Sequence, residues 1–257
     1  MIDYKIAIPS YKRHNTIKEK TLKLLDNYNI DRNRITVFVA DNDEEILYKK
    51  SLGDEYKIVV GVPTIGKQRN FIEQYYSEGT YLMMFDDDID SVMIKKDNNL
   101  EEIKNLETDV IQLGFNECIK NKNNVFGIYA ASNPYFMEDR IYTKLCYIIA
   151  SMFGVIVQHD KYLERQTNHG EDYEYSIRQY IKNGSVTRID YVTVKSNYYR
   201  EPGGLQEIRT KKYVYDSIKW IQDNFQDYCT MYIRKSTGNA ELRLRDKKQN
   251  KQQTQLF

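Results

Sequence analysis

Four short apolar runs crowd the first third of the chain: YKIAIP (4 to 9), RITVFVAD (34 to 41), YKIVVGV (56 to 62) and YLMMF (81 to 85). Each is rich in β-branched and aromatic residues, and none alternates strictly with polar ones, the pattern of strands buried on both faces. Helical segments separate them. In the first, Thr16 and Glu19 stand at capping-box spacing, and Ile17, Thr21, Leu24, Leu25 and Tyr28 share one face. The second, NDEEILYKKSLG, has acids in its first turn and Gly53 as its stop. The third, GKQRNFIEQYYSEG (66 to 79), turns Phe71, Ile72, Tyr75 and Tyr76 inward. Strands alternating with helices in this way imply an α/β fold with a mostly parallel sheet and helices on both faces.

The second half is less regular. A helix is expected over 101 to 121, strands at 124 to 132 and within 147 to 158, a helix from Glu171 to about Lys182 ending at Gly184, a strand at 186 to 196, and a helix at 213 to 225 carrying Trp220. With 257 residues, no internal repeat and no long linker, one domain over 1 to 230 is expected. Within it two halves are expected, about 1 to 96 and about 97 to 230. Residues 231 to 257 read as a basic, partly flexible extension. Net charge is +1, which argues neither for nor against a polyanionic partner. Cys118, Cys146 and Cys229 lie far apart without metal-ligand spacing, as expected of buried thiols. The longest apolar run is too short to span a bilayer, so a soluble, cytoplasmic protein is expected.

Ligands of such sheets bind beyond the carboxyl ends of the strands, and there YLMMF runs into DDDID. Carboxylates about 4 Å apart repel by about 4 kcal/mol at a surface dielectric, so a cation, a basic partner or solvation must offset the charge. In an extended segment Asp86 and Asp88 would share a face about 7 Å apart, suited to Mg²⁺ or Mn²⁺. Asp87 would point away and Asp90 could support the site. The competing reading is a solvated acidic turn. A calcium loop is disfavoured, because Ser91 and Asp97 stand where Gly and Glu belong. No P-loop lysine pattern is present and no G-x-G-x-x-G follows the first strand, which removes support for ATPase and dehydrogenase readings.

The ordered set IAIPSYKR, FVADNDEE, GKQRNFIEQYYSEGTYLMMFDDDID and GEDYEYSIR, spanning about residues 4 to 210, resembles GT-A glycosyltransferases of the family 2 type. More narrowly it resembles the TET-associated glycosyltransferases of phages, thought to add sugar to hydroxymethylated pyrimidines in DNA. The resemblance implies a nucleotide-sugar donor in UDP form bound by the half over about 1 to 96, a Mn²⁺ or Mg²⁺ held by Asp86 and Asp88, and a DNA acceptor met by the acceptor half over about 97 to 230. It puts Pro9, Ser10, Tyr11, Arg13, Asp41, Asp43 and Asp87 around the donor nucleotide. Tyr11 could stack on the base and Arg13 could reach a phosphate, while Asp41 could equally cap a helix. Gly66, Lys67, Arg69 and Asn70 open a helix whose amides and dipole favour the diphosphate.

By the family pattern Asp172 is the base that accepts the acceptor hydroxyl's proton, giving inversion, with Glu171 the close alternative. Both could instead simply offset the helix dipole. His169 could touch metal or acceptor. Gly203, Gly204 and Gln206 resemble a mobile loop over the donor, with Arg209, Lys211 and Lys212 against the departing diphosphate. There is no QxxRW and no membrane segment, which counts against a polymerising synthase. A transferase acting on another saccharide, and a non-catalytic nucleotide- or DNA-binding module, remain the alternatives.

Overall fold

The computed structural model describes residues 1–196 and 210–247. Gly203, Gly204, Gln206 and Arg209 lie outside the described residues. The central sheet has eight strands in the order β3-β2-β1-β4-β9-β7-β10-β8. Its first half is formed by β1 (Tyr4–Pro9), β2 (Ile35–Val39), β3 (Lys57–Val60) and β4 (Tyr81–Phe85), all paired in parallel. Their side chains explain this: Ile6, Ile8, Val37, Val39, Met83 and Phe85 enter one core, while Ala7, Phe38, Leu82 and Met84 enter the other. A strand apolar on both faces must be covered on both. The four runs expected from the sequence thus become strands.

Connections between them are helical. His14–Ile17 (α1) and Lys23–Asn27 (α2) are joined by a π-helical turn, Lys18–Leu22, into one element. Asn42–Leu52 (α3) ends at Gly53, whose φ of 63° suits glycine. Ile65–Tyr75 (α4) leads into β4. The expected capping box does not form, because the first helix starts at His14, after Arg13, which leaves Thr16 inside it. Helix α4 also ends earlier than expected, and Tyr75 is exposed.

Beyond β4 the sheet turns mixed. β9 (Met152–Ile156) inserts antiparallel between β4 and β7 (Val125–Ile128). β10 (Thr187–Ile189) pairs parallel with β7, and β8 (Ile141–Tyr142) closes the edge antiparallel to β10. A separate three-stranded sheet joins β5 (Ile89–Lys96), β6 (Asn99–Glu102) and β11 (Val192–Ser196). Residues 101 and 102, expected to open a helix, are therefore the end of a strand. The helix over 107 to 121 comprises a π-helical turn, Glu107–Gln112, and α5 (Leu113–Asn121).

Glu171–Asn183 (α6) carries the acidic helix start. The C-terminal helix α7 (Lys211–Asn224) is followed by a hairpin of β12 (Cys229–Ile233) and β13 (Ala240–Leu244). The segment from 231 to 244, read from the sequence as part of a basic extension, is thus paired strand and turn. Cys229, Ala240 and Leu242 join Ile218, Ile221 and Tyr180 in the core. Among the described residues no helix is long and apolar enough to cross a membrane.

Candidate active site

The strand order reverses direction between β1 and β4, and the polar cluster lies past the carboxyl ends of those two strands. This is the switch-point position at which open α/β sheets bind ligands. Asp86, Asp87 and Asp88 do not continue β4 as an extended segment. They turn the chain from β4 into β5, and one nitrogen of Arg13, Nη1, meets both Asp87 and Asp88 at the bend. Thr21, buried in the π-helical turn, fixes that bend. Its hydroxyl donates to Asp86 O at 2.7 Å and accepts from Ile89 N at 3.0 Å.

Each aspartate has a different partner set. Asp87 Oδ2 accepts from Ser10 Oγ at 2.5 Å, and Asp87 Oδ1 from Arg13 Nη1 at 2.9 Å. Ser10 Oγ also meets the Tyr48 hydroxyl at 2.6 Å. Asp88 Oδ2 accepts from Arg13 Nη1 at 3.2 Å, and Asp88 Oδ1 from Ser196 Oγ at 2.9 Å. Ser196 sits where the β11 pairing slips against β5, an irregularity that re-aims side chains. Asp86 Oδ1 accepts from Arg69 Nη2 at 2.8 Å.

Arg69 departs from its expected role. It is 3% exposed and bridges Asp86 to Glu171, with Nη2 also donating to Ala150 O at 3.1 Å. A guanidinium so enclosed neutralises the acids around it and is not free to reach a diphosphate. Asn70 is likewise spent on structure, donating to Arg165 O at 2.9 Å and accepting from Arg165 N at 3.0 Å. Asp41 caps α3, accepting from Glu44 N at 2.9 Å. Pro9 is buried at the end of β1, Tyr11 is 38% exposed, and Asp43 and Lys67 are exposed. Lys211 opens α7 beside the hairpin turn, 3.8 Å from where a Cβ on Gly238 would stand, and Lys212 pairs with Asp216 at 2.6 Å.

The acidic helix start is brought against the aspartate turn through Arg69. Asp172 Oδ2 accepts from the Tyr147 hydroxyl and Oδ1 from Tyr173 N, the latter at 3.0 Å. The Tyr147 and Tyr173 rings stack with centroids 4.1 Å apart. Glu171 is buried against Arg69, which leaves Asp172 the more accessible acid. The preceding loop is fastened by Glu174, whose carboxylate accepts from Gln166 N and Thr167 N at 2.9 Å. Gly66 packs so closely on that loop that a Cβ would come within 2.3 Å of Thr167 O. Glycine is required there by close approach, and Gly66 N donates to Asn168 Oδ1 at 3.2 Å.

The charges explain the titration. Burial pushes the Asp86 carboxyl up to about 7, with Asp88 and Asp87 adding to the push against Arg69. Burial also raises Asp87 despite Arg13 and Ser10. Burial pulls Arg13 down, but Asp87 and Asp88 outweigh it and hold that guanidinium above its usual range. Asp86, Asp87, Asp88, Glu171 and Asp172 face two guanidiniums, so negative charge remains in excess. Among the described residues no three Asp, Glu, His or Cys are gathered as a self-sufficient metal cage. A two-carboxylate site completed by substrate phosphates needs no such cage. Asp86, with a side chain 32% exposed, is the accessible carboxylate of such a pair, and Asp88, 11% exposed, has its oxygens on Arg13 and Ser196.

Thr21, Ser196, Tyr147 and Glu174 carry no local signal in the sequence; each acts through a partner at least seven residues away, and Thr21 and Ser196 more than sixty. All four lay in segments already singled out, Thr21 on a helix face, Tyr147 in an apolar run, Glu174 in GEDYEYSIR and Ser196 at the end of an expected strand, but none for the contact it makes.

A family model for TET-associated glycosyltransferases matches residues 4–203. Among solved structures, glucosyl-3-phosphoglycerate synthase from Mycobacterium tuberculosis, in complex with Mn²⁺, UDP-glucose and phosphoglyceric acid, aligns at a TM-score of 0.52 and 9% identity, covering 97% of this chain and 91% of that chain. A mycobacterial protein aligns at 0.50 and 7% identity, covering 95% and 84%. A mannosyltransferase from Pyrobaculum calidifontis, in complex with GDP-mannose and Mn²⁺, aligns at 0.46 and 10% identity. This chain is 72% covered in that alignment and spans 53% of the mannosyltransferase, about half its length. No curated protein matches by sequence. At such identities the structural likeness speaks to the fold, which is the GT-A α/β fold. The family match covers most of the chain and includes the aspartate turn, Arg69 and the acidic start of α6: the chain belongs to the TET-associated glycosyltransferase family.

Proposed function

We propose that this glycosyltransferase moves a sugar from a nucleotide-sugar donor, in UDP form, to the hydroxymethyl oxygen of a 5-hydroxymethylpyrimidine in phage DNA, with inversion at the sugar carbon. The observation that carries the reading is the Arg69 bridge, which holds the Asp86–Asp88 turn against the helix start bearing Asp172. A divalent cation held by Asp86 and Asp88 would supply charge neutralisation for the leaving nucleoside diphosphate.

The chain's own groups do the rest. Arg13 and Ser10 hold Asp87 in place, which keeps the turn in one conformation while the donor is bound. The Tyr147 hydroxyl and Tyr173 N fix the Asp172 carboxylate by one bond on each oxygen. Asp172 accepts the proton of the acceptor hydroxyl as that oxygen forms its bond to the anomeric carbon. The bond from that carbon to the diphosphate oxygen breaks, and its electron pair leaves with the nucleotide. Positioning and preorganised charge are the main contributions such a site can make.

Incubation with a panel of radiolabelled nucleotide sugars and Mn²⁺, against hydroxymethylpyrimidine DNA and plain DNA, tests this. Label should enter only the modified DNA, and Asp88→Asn should lower the rate by about a hundredfold or more, the scale of removing a principal charge-stabilising group. Transfer to saccharides with indifference to modified DNA would overturn the acceptor, and an Asp88→Asn variant as active as wild type would overturn the site.

A further inference from the structure

Helix α3 grips the turn that leaves β1 at three points. Glu44 Oε2 accepts from Lys12 N at 2.7 Å. The Tyr48 hydroxyl accepts from Arg13 N at 3.1 Å and meets Ser10 Oγ at 2.6 Å. Ser10 gives its one proton to Asp87, so on that contact Tyr48 is the donor. Two hydrogen bonds, Tyr48 to Ser10 and Ser10 to Asp87, thus run from α3 to the aspartate turn. Glu44 and Tyr48 are both buried and stand one helical turn apart. The helix is itself fastened to α1, where Ser51 Oγ donates to His14 O at 3.1 Å.

Lys12 stands at φ of 56°, in the left-handed region. A lysine is held there only where its surroundings offset the cost, and such strained positions gather at ligand-binding turns. Here the offset comes from a buried carboxylate aimed at the backbone, a stronger acceptor for an N–H than a neutral oxygen. On one side of the kink Arg13 goes to Asp87 and Asp88. On the other Tyr11 stands exposed, with the Lys12 ammonium 5.2 Å from its ring centroid.

We infer that Glu44 and Tyr48 are positioning residues for the donor nucleotide. Glu44 fixes the conformation of Lys12 and so where Tyr11 meets the nucleoside, while Tyr48 holds Ser10 and Arg13 on the diphosphate side. The inference rests on the proposed nucleotide-sugar donor and adds what holds the receiving turn ready for it. A preformed turn spares the ordering cost that binding would otherwise bear. Of the acids in the run ADNDEE, Asp41 is spent on capping α3 and Asp43 is exposed, and it is Glu44 that reaches the turn.

Calorimetric titration of UDP with Mn²⁺ into the full chain tests this with two series of variants. Glu44→Leu should weaken UDP about tenfold or more, the scale of leaving a buried N–H without its acceptor, whereas Glu44→Gln, whose amide oxygen can accept from Lys12 N, should stay within about threefold of wild type. At position 12, Lys12→Gly and Lys12→Asn tolerate positive φ and should also stay within about threefold, while the β-branched Lys12→Val should fall with Glu44→Leu. Losses in Lys12→Gly and Lys12→Asn as deep as in Lys12→Val would assign the effect to the lysine charge and overturn the inference.

Pyrophosphate with Mn²⁺ separates positioning from loss of folding. Its affinity should stay within about twofold in Glu44→Leu, because Arg13 and the aspartates keep their own bonds. UDP and pyrophosphate weakened in step would overturn the assignment. Hydrogen exchange of the Lys12 amide needs no nucleotide: it should be slow in wild type and Glu44→Gln and fast in Glu44→Leu. A wild type that binds no UDP yet shows this pattern keeps the Glu44 clamp and overturns the donor reading. Equal exchange in all three proteins contradicts the clamp whether or not UDP binds.

Discussion

Arg69 shows why single residues in this site resist interpretation from their neighbours in sequence. In the run GKQRN it stands among basic and polar residues at a helix start, the setting of an anion-binding group. In the fold it is enclosed by Asp86, 17 residues away, and Glu171, 102 residues away, so its charge is used inside the protein. Replacing it with Met removes the only described group that neutralises both acids. Breaking a buried ion pair on one side costs about 3–5 kcal/mol, and the partial exposure of Asp86 places the expected loss near the lower end, about 3 kcal/mol. Urea denaturation of Arg69→Met checks this; a loss below about 1 kcal/mol would show that the bridge is incidental. The three aspartates and the Glu171–Asp172 pair, by contrast, are legible in the sequence as motifs in order. Their partners are not, because a hydrogen bond across the fold leaves no local trace.

At the scale of elements, the strands that matter most were legible for a physical reason. β1, β2 and β4 are covered on both faces, so their sequences are nearly all apolar. β11 lies within the strand expected at 186 to 196, but its partners were hidden, because β6 reads NLEE and the β5–β6 turn KKDNN, more polar than a buried strand would be. The β5–β6–β11 sheet is what bends the aspartates out of line and brings Ser196 to Asp88. The π-helical turn is a second such element: it carries Thr21 to the bend, where one hydroxyl serves both Asp86 O and Ile89 N. Thr21→Val keeps the shape and deletes both bonds, leaving a buried N–H without its acceptor. A loss of about 1–3 kcal/mol is expected, together with weaker Mn²⁺ binding, measured by denaturation and by a metal titration. Unchanged metal affinity would show that the turn holds its geometry without Thr21.

Across the whole molecule, the single described body joins a donor-side cluster at the sheet's switch point to a C-terminal unit that packs behind Asp172. Sequence reading placed the first and took part of the second for a tail, because the hairpin's strands are short and the turn between them opens with exposed Arg234 and Lys235. The shared electrostatics give a pH prediction. The Asp86 carboxyl, raised to about 7, holds a proton in the folded state between roughly pH 4 and 7 that the unfolded chain has released. Stability without metal should therefore fall as pH rises through that window. A cation must displace the same proton below pH 7, so Mn²⁺ should stabilise more at pH 8 than at pH 6. After allowance for solvent at a carboxyl that is 32% exposed, the difference is about 1 kcal/mol, or about 2–4 °C in the Mn²⁺-induced change of Tm. An equal or smaller change at pH 8 would place the bound cation away from Asp86.

The central claim, that the aspartate turn holds a cation through which the donor's diphosphate is bound, is tested most directly by calorimetric titration of UDP into the protein. Saturable binding with Mn²⁺ present, abolished by a chelator and weakened at least tenfold by Asp88→Asn, is the result expected. Binding of equal strength with and without the metal, or unaltered in Asp88→Asn, would contradict it.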